Sequence, residues 1–327
     1  DEKIKTMGSS NNSDLIAQAQ EWIEHDPDPE TRSELLELLK ANNTEELDDR
    51  FSSRLTFGTA GIRGIQGGGP NRMNRLTLRK VAVGISQYLK SGSSVIIGYD
   101  ARKNSEVFAT DMSGIFSHYG IHSHIFTKVI PTPVLSFAVR QKSADMGIMI
   151  TASHNPANDN GCKVFLADGA QLRSPIDDII DQQIELSQLP PKEIAKGLGR
   201  IEEIEDKIWI EYCETVANTV GELSGSLAIA YTPLHGVSLE TIEHVFGLKG
   251  ITNLVTVPSQ SQPDPSFPST PFPNPEEAGV LDELFNVAQS SKADIALAND
   301  PDGDRLAIGV PQSNGEWRTL SGNEIGA

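Results

Sequence analysis

Ile148-Met149-Ile150-Thr151-Ala152-Ser153-His154-Asn155-Pro156 is the stretch from which the rest of the chain is best read. Its apolar residues form a short buried strand that stops at a hydroxyl, an imidazole and an Asn-Pro turn. In open α/β sheets, ligands collect just beyond the carboxyl ends of strands. A serine held there on a rigid turn is a candidate nucleophile or phosphate carrier. Ser and Asn-Pro also favour turns for their own sake, so a turn-capping serine is the competing reading.

Outward from this stretch, short apolar strands at 95–100, 124–126, 147–150 and 163–166 alternate with helical spacing, clearest at 106–118. Such alternation predicts βαβ units. A Pro190-Pro191 pair and residues 192–200 look like an inter-domain connection. A second set follows: helix 204–217, strand 227–231, helix 239–246, strand 254–257, a Pro- and Ser-rich loop 258–275, and a helix capped at Asn274 and running to near Gln289. Strand 295–298 then leads into an acidic loop, and strand 306–310 closes the set. Upstream, Ser13 is a helix cap, Asp28-Pro29-Glu30 is a strong helix start, and Thr44-Glu45-Glu46 opens another helix. Ser321-Gly322-Asn323-Glu324 resembles the start of a helix whose body is missing.

The predicted fold class is therefore α/β: tandem α/β domains with mixed, largely parallel sheets and a helical N-terminal extension. The expected units are 1–50 (helical extension), 51–200 (first domain), 201–315 (second domain) and 316–327 (only the start of a third).

The 327 residues carry a formal net charge of −18. Nucleic acid and anionic membrane surfaces need clustered positive charge, so neither is expected as a main partner. Cys162 and Cys213 are the only cysteines, too few for a disulfide framework or a Cys-rich zinc site. No apolar run reaches the roughly 18 residues of a membrane span. The first residues lack the layout of a secretory signal, so a cytoplasmic location is expected.

Asp300-Pro301-Asp302-Gly303-Asp304-Arg305 is the second signal. On an extended chain, alternating Asp300, Asp302 and Asp304 point to one side. Three hard oxygens at a strand end suit Mg²⁺ or a similar cation. An EF-hand is excluded, because Arg305 stands where its Gly belongs and Pro311 where its Glu belongs. A solvated turn is the bland alternative. An aspartyl phosphatase of the haloacid-dehalogenase type, with Asp300 phosphorylated, is the catalytic rival; there Asp304 replaces the usual Thr or Val.

Phe57-Gly58-Thr59-Ala60-Gly61-Ile62-Arg63-Gly64 reads as a tight loop whose amides face an anion, with Arg63 a forked phosphate donor, or as a plain turn. Gly67-Gly68-Gly69 reads as a flexible surface turn. Asn160-Gly161 is a hairpin signal that folds Lys163 back toward Ser153, where it would hold phosphate or shuttle a proton; an exposed strand-edge lysine is the alternative. His154 has three readings: phosphate contact, acid/base group or turn support.

Residues 151–156, 300–305 and 57–63 together resemble the phosphoserine loop, the metal loop and the N-terminal signature of the α-D-phosphohexomutases. Residues 70–74 and 272–277, with the helical N-terminus, look most like the phosphoglucomutase-2 and phosphopentomutase branch. The resemblance spans about Leu55 to Ala327 and implies a mutase that interconverts sugar 1-phosphates and 6-phosphates, or pentose 1- and 5-phosphates. It implies that Ser153 carries the phosphoryl group, with a sugar 1,6-bisphosphate as intermediate and activator. It assigns Mg²⁺ to Asp300, Asp302, Asp304 and a phosphoserine oxygen of Ser153. Ser153, His154, Lys163 and Arg63 become the catalytic set, with Lys163 transferring protons. Arg63, Ser153, Asp304 and Arg305 become the contacts to sugar phosphate. Family members have four domains, and this chain stops at the threshold of the third with no Ser-Gly-Thr-Glu-Pro-like segment. The expectation is a fragment that does not turn over sugar phosphates by itself. A non-catalytic sugar-phosphate-binding module is the reading from a different class.

Overall fold

The computed structural model describes residues 2–222 and 227–326; Asp1 and Ala327, the outer ends of the expected first and last units, lie outside the described residues. Three helices open the chain: α1 (Glu2–His25), α2 (Pro29–Lys40) and α3 (Thr44–Phe51). The Asp28 side chain accepts from Glu30 N ahead of Pro29, and Asn43 accepts from Glu46 N, so α2 and α3 start at side-chain caps. α1 runs through Ser13, which lies inside the helix and is not its cap; a serine there costs little helix propensity. Leu15, Ala19, Trp22, Leu35, Leu47 and Phe51 close around Leu76 and fasten the extension to the first α/β unit.

That unit contains β1 (Ile62–Ile65), α4 (Arg75–Tyr88), β2 (Ser94–Tyr99), α5 (Ser105–His118), β3 (His122–Phe126), α6 (Thr132–Gln141), β4 (Met146–Ile150), β5 (Asp159–Leu166), α7 (Ile176–Leu186) and β6 (Ile201–Ile204). The sheet order is β1-β5-β4-β2-β3-β6. β2 pairs parallel with β3 and β4, whereas β5 returns antiparallel to β4 and β1 antiparallel to β5. Both faces are covered. Val95, Ile97, Ile148 and Ile150 point into one core, and Ile96 and Met149 into the other. Burial on both faces is why these strands read as continuous apolar runs.

The second unit contains α8 (Asp206–Thr219), β7 (Ile229–Thr232), α9 (Leu239–Leu248), β8 (Leu254–Thr256), α10 (Asp282–Ser291), β9 (Ile295–Asn299), β10 (Leu306–Pro311), β11 (Trp317–Thr319) and α11 (Gly322–Ile325). Its sheet order is β11-β10-β9-β7-β8. β7 pairs parallel with β8 and β9, and β10 returns antiparallel to β9. The wiring of β2-β3-β4-β5 is thus repeated in β7-β8-β9-β10. The loop after β4, with Ser153, and the loop after β9, with the aspartates, hold equivalent positions in the two sheets.

Several expectations are corrected. Residues 201–204 form the edge strand of the first sheet, and Trp209 and Cys213 of α8 pack into that sheet's second core. Residues 317–319 pair with β10, and Trp317 stacks on Phe285 at 5.9 Å. Helix α10 starts at Asp282, because Gly279 at φ +83° turns the chain first. The helix start at Ser321 does continue, into one turn closed by a Ser321–Glu324 capping box.

Gly67, Gly68 and Gly69 are buried against the N-terminal helices. A Cβ on Gly68 would lie 2.6 Å from Leu35 Cγ. Asn160-Gly161 is no turn but the start of β5, and the reversal occurs upstream at 153–158. Asn160 Nδ2 donates to Lys103 O and Ser105 Oγ, which holds the strand extended. A Cβ on Gly161 would lie 2.1 Å from Ile62 O, so glycine is required by the close approach of β1. Gly161→Ala is expected to lower unfolding free energy by about 1–3 kcal/mol through overpacking. Chemical denaturation checks this, and an unchanged midpoint would contradict it.

Candidate active site

β4 ends at Ile150, and Thr151 Oγ1 accepts from Ser153 N at 2.8 Å. Ser153 sits at φ +54°, a left-handed conformation that costs a non-glycine residue roughly 1–3 kcal/mol and clusters at functional sites. Its Oγ donates to Asp300 Oδ2 at 2.8 Å and lies 3.2 Å from His154 Nδ1. The antiparallel return of β5 sets Lys163 opposite Met149 and brings its Nζ into the same space. Arg63, opposite Gly161 on β1, has Nη1 3.5 Å from Ala152 O and from Asn155 Oδ1. Its Nε is buried with no partner among the described residues, leaving a donor free for an anion.

From the other sheet, residues 300–305 turn tightly instead of running extended. Gly303 adopts φ +73°, and a Cβ there would lie 2.3 Å from Ser238 Oγ. Asp300 Oδ1 accepts from the backbone of Asp304 (3.1 Å) and Arg305 (3.0 Å). Asp302 Oδ2 accepts from Lys163 Nζ at 2.5 Å and from Thr132 Oγ1 at 2.6 Å; Lys163 also pairs with Asp304. One oxygen from each aspartate lies within 4.8 Å of the others. The carboxylates converge as expected, but the turn brings them together and not the pleat.

Burial is what gives this cluster its character. Asp300 and Asp302 are fully buried. Burial, then Asp302 and Asp304, push the Asp300 carboxyl well above the usual carboxylate range. Burial also opposes ionisation of Asp302, but the Lys163 ammonium outweighs it and holds that group down at about 2. For Lys163 the same balance runs the other way: burial disfavours its charge, and Asp302 and Asp304 overcome it and raise the pKa. The opposed directions for Asp300 and Asp302 follow from which one touches the lysine. One lysine cannot neutralise three carboxylates, and Asp302 Oδ1 is buried with no partner among the described residues. Three carboxylates with an orphaned buried oxygen fit a hard divalent cation.

His154 is driven down to about 4 by burial, then by Arg305 and Arg63. It is therefore a neutral imidazole at neutral pH. Phe272 from the second unit meets its ring edge-on at 5.9 Å. Arg305 sits at the rim, 38% exposed, with Nη1 3.7 Å from Glu276 Oε2. The expected residues Arg63, Ser153, His154, Lys163, Asp300, Asp302 and Asp304 thus converge, with Arg305 beside them.

Two residues escaped the sequence reading. Thr132, at the start of α6, binds Asp302 through its side chain and through its backbone N–H (2.8 Å to Asp302 O). Arg102 lies beneath the Ser153 loop. Each follows a strand of the first sheet, β3 and β2, and that position was the available signal.

Comparison with known proteins shows what the chain as a whole is similar to. Residues 54–189 match the description "Phosphoglucomutase/phosphomannomutase, alpha/beta/alpha domain I", and residues 210–314 match "alpha/beta/alpha domain II" of the same family. The chain is 37% identical to a mouse phosphopentomutase over 96% of its own length and 54% of that protein. It is 34% identical to the phosphoribomutase of Saccharomyces cerevisiae, covering 96% of this chain and 55% of that one. The chain spans about half the length of these relatives. A solved structure assigned as a phosphomannomutase from Thermus thermophilus superposes with a TM-score of 0.67 at 25% identity, over 79% of this chain and 57% of that chain. Among the described residues no helix is long and apolar enough to cross a membrane.

The imidazole supplies a direct check of the site's electrostatics. NMR titration of His154 should give a midpoint near 4, well below the ordinary 6.5. Between those values the unfolded chain holds more protons, so this residue makes stability fall as pH falls from about 6.5 toward 4. His154→Gln should flatten that part of the stability–pH curve, and a midpoint above 6 would contradict the burial and the arginine neighbours.

Proposed function

Because the chain belongs to the phosphoglucomutase/phosphomannomutase family and carries its domains I and II, we propose that it performs the phosphoserine chemistry of a sugar-phosphate mutase. Ser153 exchanges a phosphoryl group with a sugar phosphate through a sugar bisphosphate. The observation that carries this reading is the 2.8 Å bond from Ser153 Oγ to Asp300 Oδ2, between residues 147 positions apart. It sets a hydroxyl at a point where both sheets contribute charge.

In the direction that loads the enzyme, Ser153 Oγ attacks a phosphorus of the bisphosphate. The new Oγ–P bond forms as the bond from phosphorus to the sugar oxygen breaks. Ser153 Oγ gives its proton to Asp300 Oδ2 and the departing sugar oxygen takes one from the Lys163 ammonium; the Asp300 proton then returns to Lys163, so that in total one proton passes from serine to sugar and both groups are reset. Asp302 and Asp304 outweigh burial and keep Lys163 charged, so it holds a proton that it can give. Neutral His154 orients Oγ through Nδ1. Arg63 and Arg305 bind phosphate oxygens, Arg63 with the Nε that has no other partner among the described residues. Asp300, Asp302 and Asp304, with an oxygen on Ser153, are the residues that would hold Mg²⁺. When bound, Mg²⁺ supplies Lewis-acid charge to the transferring phosphoryl group. The remaining work is positioning, as phosphoryl transfer requires.

The phosphatase alternative asks for a free carboxylate at Asp300. Oδ1 accepts from two backbone amides and Oδ2 from the Ser153 hydroxyl, an arrangement that suits Asp300 as acceptor of the serine proton better than as the attacking group. The named relatives act on pentose or hexose phosphates, and either class of monophosphate or bisphosphate is a substrate candidate. Incubation with glucose 1,6-bisphosphate or ribose 1,5-bisphosphate and Mg²⁺, followed by peptide mass spectrometry, should add one phosphoryl group at Ser153. Ser153→Ala should abolish it. Phosphate on Asp300 would overturn the reading in favour of the phosphatase, and an unlabelled chain would favour a binding module.

A further inference from the structure

Ser153 is held left-handed, and hydrogen bonds within residues 151–159 are only part of what holds it. Thr151 Oγ1 fixes the serine amide, Asn155 N donates to Ala152 O at 3.1 Å and Asp159 N to Pro156 O at 3.0 Å, and the carbonyls of residues 153, 155, 156 and 159 face the first unit. There they meet one buried side chain, Arg102, 1% exposed. Its Nη2 donates to Ser153 O at 2.7 Å and Asn155 O at 2.6 Å. Its Nη1 donates to Pro156 O at 2.8 Å and Asp159 O at 3.1 Å. Four carbonyls of one loop thus converge on a single guanidinium fork. Asp100 balances the charge at 3.3 Å from Nε and accepts from Arg102 N and Ser105 Oγ, so the arginine is itself anchored at the end of β2.

One face of the guanidinium is covered from the second unit. Phe267, from the loop between β8 and α10, lies over it with its ring centre 4.9 Å from Cζ, and is 2% exposed. Phe267 is itself held left-handed at φ +44°, between Phe267 N→Asp264 O (3.2 Å) and Thr270 N→Phe267 O (3.0 Å). A ring there keeps water off the four carbonyl bonds, and such bonds are stronger in a dry environment. Docking of the second unit therefore does two things at once: it delivers the aspartates and it seals the arginine that shapes the serine loop.

We propose that Arg102, capped by Phe267, is a positioning residue that sets Ser153 for phosphoryl transfer and links that setting to the docking of the second unit. The inference rests on the phosphoserine reading above. It assigns no contact with substrate to Arg102. Lysine cannot replace it, because a single ammonium carries three donors and lacks the planar fork that reaches four carbonyls.

The test measures Ser153 phosphorylation by glucose 1,6-bisphosphate with Mg²⁺, by intact mass against time and bisphosphate concentration. The proteins are the wild-type chain, Arg102→Lys and Phe267→Leu, each checked for folding by circular dichroism. Arg102→Lys is expected to slow loading at saturating bisphosphate at least tenfold, with half-saturation within twofold of wild type. Phe267→Leu is expected to slow it at least threefold with the same pattern. A residue that only supported the fold would lower the folded fraction and leave the rate per folded molecule unchanged. Wild-type rates in folded Arg102→Lys, or a loss expressed in half-saturation alone, would overturn the inference. If Arg102→Lys does not fold, Phe267→Leu decides by the same criterion. Failure of the wild-type chain to label at Ser153 would instead overturn the phosphoserine reading beneath it.

Discussion

Two aspartates with no exposed surface face a serine and a lysine from another sheet, and the arrangement of the chain follows from making that tolerable. Buried carboxylates are costly unless paired or bound to a cation. Lys163 meets part of the need from the first unit, and Thr132 and the amides of residues 304 and 305 meet more. The first sheet thus holds the second sheet's acidic loop in place, while the second sheet seals the loop that carries Ser153.

The repeated wiring explains how such a meeting is built. In each sheet, a parallel strand ends in a loop and an antiparallel strand returns. The first sheet puts a hydroxyl on that loop and an amine on the return. The second puts carboxylates on the loop and Arg305 at the head of its return. Facing the two loops brings the Ser153 hydroxyl, the Lys163 amine, Arg63, Arg305 and the three aspartates together with no long excursion of the chain.

Much of this was legible in the sequence because the informative residues are local. An apolar run ending in Ser-His-Asn-Pro, or in Asp-Pro-Asp-Gly-Asp, announces a strand and a functional loop within a few positions. The helix starts at Asp28-Pro29-Glu30 and Thr44-Glu45-Glu46 have the same local character. What escaped depends on contacts across the chain. Arg102 acts on carbonyls more than 50 positions away, and Thr132 on an aspartate 170 positions away. Asn160-Gly161 misled because its turn preference is overridden by the β1–β5 ladder, where the glycine is needed for clearance. Gly67-Gly68-Gly69 misled in the same way: what resembles slack is a close-packed floor for the N-terminal helices.

The account stands on the claim that the acidic loop is a cation site completed across two sheets. The most direct measurement is Mn²⁺ binding to the chain, followed by electron paramagnetic resonance, for wild type and Asp302→Asn. The account predicts a single tight site in wild type and a loss of affinity of about a hundredfold or more in the variant, in the range set by losing a charged ligand worth several kcal/mol. Equal Mn²⁺ affinity in the two proteins, or no site in the folded wild type, would contradict it.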